Sequence, residues 1–128
     1  MNFKEYLLTE SSVSFASYVV VKSNNKSTGN DKYSDVDFGK DVKQVVSILK
    51  THNVEVGDNE SDDDDLSVEL YDIKCQDSVD GLQKAFQAVV DSVEVTISGT
   101  LYYMKDGEQS DNGYRIKTTG GKVTVKSI

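Results

Sequence analysis

The sequence has few of the residues from which enzyme sites are most often built. Among its 128 residues there is one cysteine and one histidine, and there is no tryptophan and no proline. A single cysteine, Cys75, excludes an intrachain disulfide and suits a reducing compartment. His52 stands at the end of a predicted helix without a second histidine or cysteine to complete a metal-ligand set or a triad, so we expect it to interact with the carbonyl end of that helix.

Two longer patterns are also absent. No stretch approaches the roughly 20 apolar residues of a membrane span. No glycine-rich loop joins a strand to a helix, because Gly120-Gly121 falls between two predicted strands. The sequence therefore predicts a non-enzymatic protein with no cofactor, no bound metal and no membrane segment.

Acidic residues outnumber basic ones. The chain has 22 Asp and Glu against 14 Lys and Arg, which gives a net charge of −8. Binding to nucleic-acid phosphates is driven by Lys and Arg that displace counterions. This balance disfavours direct nucleic-acid binding and leaves basic partners open.

The acids are concentrated in one segment. Residues 55–65 contain no base and seven carboxylates, namely Glu55, Asp58, Glu60, Asp62, Asp63, Asp64 and Asp65. Mutual repulsion predicts a solvated, extended surface loop. Asp58, Glu60, Asp62 and Glu69 also match ligand positions of a calcium-binding loop, but Asp63 stands where that loop needs glycine, and a strand is predicted where its second helix should follow.

The C-terminal end has the opposite charge. From Tyr114 onward the chain has no acidic side chain and carries the bases Arg115, Lys117, Lys122 and Lys126. Interleaved with Tyr102, Tyr103 and Tyr114, these bases could form a contact surface for a partner or for packaged DNA. The alternative is an ordinary solvated sheet face.

Hydrophobic periodicity predicts one α+β domain over residues 11–128. Alternating apolar residues predict strands over 11–22, 66–74, 93–104, 114–118 and 123–128. Apolar residues three and four apart predict one helix from Asp35 or Asp37 to about His52, and a second from Asp77 or Ser78 to Val93. The order β-α-β-α-β-β-β predicts a mostly antiparallel sheet of about five strands with two helices on one face, and a second small sheet is the main alternative. The polar segment 105–113 is predicted to be an exposed loop. The last three strands are predicted to form a meander with Gly120-Gly121 as a hairpin turn.

Residues 1–10 differ in pattern from the rest of the chain. Phe3, Tyr6 and Leu7 recur at helical spacing, so they predict a short amphipathic helix. After Glu10 the composition changes abruptly to small and β-branched residues that begin a strand. The segment is therefore either a separate leader or a helix that docks on the domain.

This start resembles the capsid-targeting sequence of T-even-type bacteriophage head proteins. Leu8-Thr9-Glu10 is similar to the Leu/Ile-x-Glu site after which the prohead protease of those phages cuts. In that family the leader co-assembles with the scaffolding core of the prohead and is then removed. The resemblance covers about the first tenth of the chain, and it implies a mature protein that begins at Ser11.

The resemblance also implies a function and a location. It predicts a small, non-enzymatic internal head protein that lies inside the virion and whose leader binds scaffold or other prohead components. Some proteins of this kind are injected with the DNA and act against host defences in the host cytoplasm. The sequence does not name such a host target.

A second hypothesis follows from charge alone. An acidic intracellular protein can inhibit a host nuclease, or another DNA-binding enzyme, by presenting carboxylates where phosphates would lie. Such a mimic needs its acids in a rigid array, so a disordered segment 55–65 would count against it. Both hypotheses can hold together.

Overall fold

The computed structural model describes residues 13–24, 35–62, 66–76 and 79–128. These residues form an α+β fold in which six strands make one antiparallel sheet in the order β2-β3-β1-β4-β5-β6. The strands are β1 (Val13–Ser23), β2 (Val54–Asp62), β3 (Ser67–Cys75), β4 (Val95–Lys105), β5 (Glu108–Thr119) and β6 (Lys122–Ser127). The helices are α1 (Asp35–Thr51) and α2 (Leu82–Ser92), and a 3-10 turn at Val79–Gly81 precedes α2.

Both helices pack on the same face of the sheet. Helix α1 contacts β2, helix α2 contacts β4 and β6, and the two helices contact each other. Their apolar stripes meet the inward side chains of every strand, and the largest fully buried residues of this single core include Phe15, Phe38, Leu49, Leu70, Ile73, Leu82, Phe86, Ile97, Leu101 and Ile116. Each such side chain contributes about 1.5–3 kcal/mol of burial free energy.

The two helices, the antiparallel meander of the last three strands and the glycine turn agree with the sequence predictions. Gly120 and Gly121 have φ values of 57° and 78°, the left-handed pair that a tight hairpin turn needs. Gly99 has a different role, because a Cβ there would lie 2.2 Å from the carbonyl oxygen of Tyr18 on the neighbouring strand. Its missing side chain lets β1 and β4 come together.

The prediction of about five strands is wrong by one strand, and the error lies in the acidic segment. Residues 55–62 are not a loop but belong to β2, the edge strand that pairs with β3. Val54 is buried and Val56 half-buried on the helix side, and they hold the start of the strand against the core. Among the described strands β2 has one neighbour, β3, and its acids are exposed to water, so their repulsion costs less than the pairing of the backbone provides.

The sequence predicts a loop for the polar segment 105–113 as well. In the structure β5 begins at Glu108, and the ladder with β4 includes the pairs Met104–Gln109 and Lys105–Glu108. Backbone pairing in this exposed extension needs no apolar side chain, so periodicity does not report it. The predicted N-terminal helix, the predicted helix caps Asp77 and Ser78, and Asp63 to Asp65 lie outside the described residues.

Candidate functional surface: the open face of the sheet

The face of the sheet opposite the helices is its most distinctive surface, and it is here called the open face. Within residues 13–24, 35–62, 66–76 and 79–128, no helix covers it. Its central aromatic residue, Tyr18, is 50% exposed, whereas Phe15 on the inner side of the same strand is 2% exposed. An exposed aromatic side chain in the middle of a sheet is typical of an interaction surface.

The strand register arranges the outward side chains of the open face in rows that cross the sheet. One row, here called the Glu60 row, consists of Glu60, Glu69, Val20, Ser98, Lys117 and Thr124. The next row, here called the Asp58 row, consists of Asp58, Tyr71, Tyr18, Thr100, Arg115 and Lys126. Each row begins with an acid on β2 and reaches bases on β5 or β6.

The acidic end of the open face lies on β2 and β3. Asp58, Glu60 and Asp62 are exposed and alternate along β2, so they share one side of the strand about 6.8 Å apart, twice the rise of one residue. Glu55 is also exposed on β2, opposite Lys74. The structure thus places four of the seven predicted acidic residues on a paired strand.

A carboxylate held by two tyrosines joins the acidic end to the centre of the open face. The hydroxyl of Tyr18 donates to Oε1 of Glu69 over 2.9 Å, and the hydroxyl of Tyr71 donates to Oε2 of the same carboxylate. The two rings meet edge to face with centroids 6.0 Å apart. These hydrogen bonds favour the neutral phenols. They therefore raise the pKa of both tyrosines, that of Tyr71 to about 12.

Sequence reasoning missed this cluster. Tyr18 lies 51 residues from Glu69 along the chain, and only the pairing of β1 with β3 brings them together. The available signal was the outward position of a tyrosine in each strand, which indicates a face but no partner.

The basic end of the open face lies on β5 and β6. Arg115 stands directly opposite Lys126, and Lys117 stands opposite Thr124. With Ser127 and Ile128 these residues line a shallow depression of about 530 Å³.

The acidic segment 55–62 and the bases that follow Tyr114 are therefore separated in the structure as well as in the sequence, because they lie at opposite edges of one sheet. The tyrosines do not stay together, however. Tyr102 borders a second depression of about 300 Å³ on the open face, beside Tyr18 and Thr100. Tyr103 and Tyr114 point to the inner side, where they pack against Phe15.

Tyr103 on the inner face and Cys75 both have raised pKa values. The hydroxyls of Tyr103 and Tyr114 are 2.6 Å apart, and burial, followed by this hydrogen bond, raises the pKa of Tyr103 to about 12. Burial raises the pKa of the Cys75 thiol to about 11, which leaves little thiolate to act as a nucleophile. His52 is exposed just after α1, and its backbone N–H donates to the carbonyls of Ile48 and Leu49.

The other predicted sites have different outcomes. Phe3, Tyr6 and Leu7, like the processing site Leu8-Thr9-Glu10-Ser11, lie outside the described residues. In the described part of the chain, no three His, Cys, Asp or Glu side chains are grouped to hold a metal ion. Residues 58–62 and 67–69 belong to paired strands, so they do not form the loop of a calcium site. Neither described helix has the length and apolar composition needed to cross a membrane.

Comparison with known proteins found no matching family model, no matching curated protein and no matching solved structure.

Proposed function

We propose that this chain is a small, non-enzymatic internal head protein of a T-even-type phage, carried in the virion after cleavage behind Glu10. The observation that carries the proposal is the leader, an aromatic amphipathic segment that ends in Leu8-Thr9-Glu10 immediately before the composition changes. The leader binds scaffold or other prohead components. The domain that follows is the packaged cargo, and it acts in the host cytoplasm if it is injected.

The boundary of the described fold supports this proposal. Strand β1 begins at Val13, two residues after Ser11, and lies between β3 and β4 in the sheet. A cut after Glu10 therefore leaves every described strand and helix intact. Each of these elements contributes to one hydrophobic core, as a domain that must persist after processing requires.

The direct test combines processing and packaging. Co-expression with a T-even-type prohead protease should yield a chain whose N-terminus is Ser11, as read by intact-mass spectrometry. Glu10→Ala should abolish this cleavage, and Glu5→Ala, which removes an acid of the same leader outside the site, should leave it unchanged. Purified virions of a phage that encodes the chain should contain the Ser11 form. Full-length chains in virions, or cleavage of Glu10→Ala at the wild-type rate, would refute the proposal.

A second measurement separates a leader from a docked helix. Removal of residues 1–10 should change the free energy of unfolding by no more than about 1 kcal/mol, because a segment that a protease must reach contributes little to the core. Full burial of Phe3, Tyr6 and Leu7 would instead contribute roughly 1.5–3 kcal/mol each. A loss of several kcal/mol would make residues 1–10 part of the fold and leave Leu8-Thr9-Glu10 a coincidence.

The acidic end of the open face favours a second candidate function, the inhibition of a host nuclease or other DNA-binding enzyme by nucleic-acid mimicry. The favouring observation is that Asp58, Glu60 and Asp62 lie on a paired strand at regular spacing, as a mimic of phosphates needs. The mimic would act after delivery to the host, so it is compatible with the packaged protein.

The mimicry is tested with neutral isosteres. If the chain inhibits a host nuclease in competition with DNA, Asp58→Asn combined with Glu60→Gln should weaken inhibition at least tenfold, since close interfacial charge pairs are worth about 1.5 kcal/mol or more. Asp91→Asn combined with Glu94→Gln removes the same charge from exposed positions off the strand and should have no effect. Equal losses in the two double variants would show that net charge, not the acidic strand, is responsible.

A further inference from the structure

The open face carries a like-charged pair at each end. Glu60 stands opposite Glu69 on β2 and β3, and Arg115 stands opposite Lys126 on β5 and β6. Like charges directly opposite each other in a sheet destabilise it. Exchanging one member of each pair would have removed both costs, yet the open face keeps the two acids together at one end and the two bases together at the other.

As a whole, the open face has nearly balanced charge despite the net charge of the chain. Its acids are Glu55, Asp58, Glu60, Asp62, Glu69 and Asp72, and its bases are Lys22, Lys74, Arg115, Lys117, Lys122 and Lys126. Lys22 and Lys74 lie on β1 and β3, so the half with β2, β3 and β1 has an excess of acids, and the half with β4, β5 and β6 has the four remaining bases. A surface whose two halves have opposite net charge is complementary to a copy of itself turned end for end.

We infer that the open face binds a second copy of this chain, with the two sheets packed face to face around a two-fold axis that runs parallel to the strands between β1 and β4. This axis places each row on the same row of the second copy in reverse order. In the Glu60 row, Glu69 then faces Lys117 of the second copy, and Val20 faces Ser98. In the Asp58 row, Asp58 faces Lys126 of the second copy, and Tyr18 faces Thr100.

The charges select this axis over the other in-plane choice. A two-fold axis perpendicular to the strands would place β2 on β2 and β6 on β6, so that acids face acids and bases face bases. Such juxtapositions cost several kcal/mol at an interface and exclude the arrangement. Both axes leave the strands of the two sheets aligned, as in β-sandwiches, so the charges decide between them.

The size and chemistry of the open face suit a stable dimer. Six strands spaced about 4.8 Å apart, over about eight residues of roughly 3.3 Å each, give a flat area near 600 Å², and side-chain relief brings this toward the ~800 Å² per partner of standard interfaces. The half-exposed Tyr18, together with Val20 and Tyr102, places aromatic and apolar surface at the centre of that area. The charged residues lie around this centre, as in other interfaces.

The first test is the mass of the full chain in solution. Sedimentation equilibrium should show a species of twice the 14.1 kDa chain mass, in reversible exchange with monomer over roughly 1–100 μM. A monomer throughout this range would overturn the inference. A series of larger species would overturn it as well, because it indicates open-ended pairing of β2 with β6 instead of a closed two-fold contact.

Charge reversal tests the proposed partners. Lys126→Glu places a carboxylate against Asp58 of the second copy at both symmetric sites, and it should raise the dimer Kd by about tenfold or more. Asp58→Lys should do the same. Lys84→Glu and Asp91→Lys make equal charge changes on α2, on the other side of the sheet, and should leave the Kd within about threefold of wild type. Dimerisation that responds equally to Lys126→Glu and Lys84→Glu would overturn the inference.

A mixing experiment guards against misfolded variants. An equimolar mixture of the Asp58→Lys and Lys126→Glu chains can form a heterodimer in which every facing pair has opposite charge. It should dimerise about as tightly as wild type, although each parent is weak, and the double variant D58K/K126E should recover in the same way. Failure of both the mixture and the double variant to recover, with native circular dichroism in each parent, would show that residues 58 and 126 do not face each other.

Discussion

The sheet carries a tyrosine cluster on each face, and the two clusters are built on different principles. On the inner face Tyr103 and Tyr114 pack against Phe15, and their ring centroids lie 5.2 and 6.3 Å from the Phe15 centroid. Their hydroxyls form a hydrogen bond with each other. On the open face Tyr18 and Tyr71 are organised around the carboxylate of Glu69. The inner cluster is set by burial, and the outer one by a single charge.

This difference shows how the two faces divide structure and function. Apolar contact on the inner face provides most of the free energy of folding, because burial of large side chains is the dominant favourable term. The open face provides little of that free energy, and its charges and hydroxyls are available for a partner. Substitutions on the inner face should therefore change the free energy of unfolding. Substitutions on the open face should change tyrosine pKa values and association with a partner.

The largest expected effect is the removal of Phe15. Phe15→Ala leaves a cavity beneath the inner tyrosines and should lower the free energy of unfolding by about 3–5 kcal/mol, measured by urea denaturation. Val20→Ala, on the same strand but on the open face, should cost about 1 kcal/mol or less in the same measurement on the monomer, below the dimer Kd. Similar losses in both variants would contradict the division between the faces.

The second expected effect concerns access to the inner face. With the pKa of Cys75 raised to about 11 by burial, its thiolate fraction at about pH 8 is on the order of 100-fold smaller than that of an exposed thiol. In a Ser98→Cys variant below the dimer Kd, where the open face is free, a thiol reagent should therefore modify the introduced thiol at least ~100 times faster than Cys75. Urea should abolish the difference. Equal rates in the native protein would mean that Cys75 is not protected.

The third expected effect separates the causes of the two raised tyrosine pKa values. Glu69→Gln removes the carboxylate whose hydrogen bond and negative charge raise the pKa of Tyr71, so this pKa should fall from about 12 toward the ordinary value of 10. Tyr103 should still titrate near 12, since burial is the main cause of its shift. Tyrosinate absorbance during alkaline titration reports the ionisation of Tyr71 and of Tyr103. The Tyr103→Phe variant lacks the Tyr103 transition and so identifies it. A Tyr71 that still titrates near 12 in Glu69→Gln would disprove the role of the carboxylate.

The same shifts predict a pH dependence of stability. A phenol whose pKa is higher in the folded state than in the unfolded state binds its proton more tightly when folded. The stability that Tyr71 and Tyr103 contribute is therefore complete below about pH 10 and is lost as the pH rises through about 12. Urea midpoints across this range should decline, and in Glu69→Gln the decline should be shallower but still present. A decline below about pH 9 would point to other groups.

The smallest expected effect is on the like-charged pairs of the open face. Lys126→Glu turns the Arg115–Lys126 pair into an attractive one and should stabilise the monomer by about 0.2–1 kcal/mol. Glu60→Lys should act in the same direction at the acidic end. Measurement below the dimer Kd isolates this effect from association. A loss of monomer stability in both variants would indicate that the charges already have stabilising partners.

The sequence determined the parts of this protein that depend on local repetition. Apolar spacing located α1, α2 and the meander of β4, β5 and β6, because a regular helix or strand repeats its buried positions with a fixed period. Charge counting located the acidic and basic segments, since charge is a property of residues and not of their arrangement. The amphipathic pattern of residues 1–10 is local as well, so it is visible without any structure.

Only the tertiary structure decided how these parts meet. The acidic composition of β2 predicts a loop. The segment is nevertheless a strand, because backbone pairing with β3 and the burial of Val54 stabilise it. The contacts of Glu69 with Tyr18, and the opposition of Arg115 and Lys126, depend on strand register. Register is set by backbone pairing across long separations, and a shift of one residue would move every side chain to the other face. For this reason the tertiary structure, and not any single segment of the sequence, determines which residues form the open face and at which edge its charges lie.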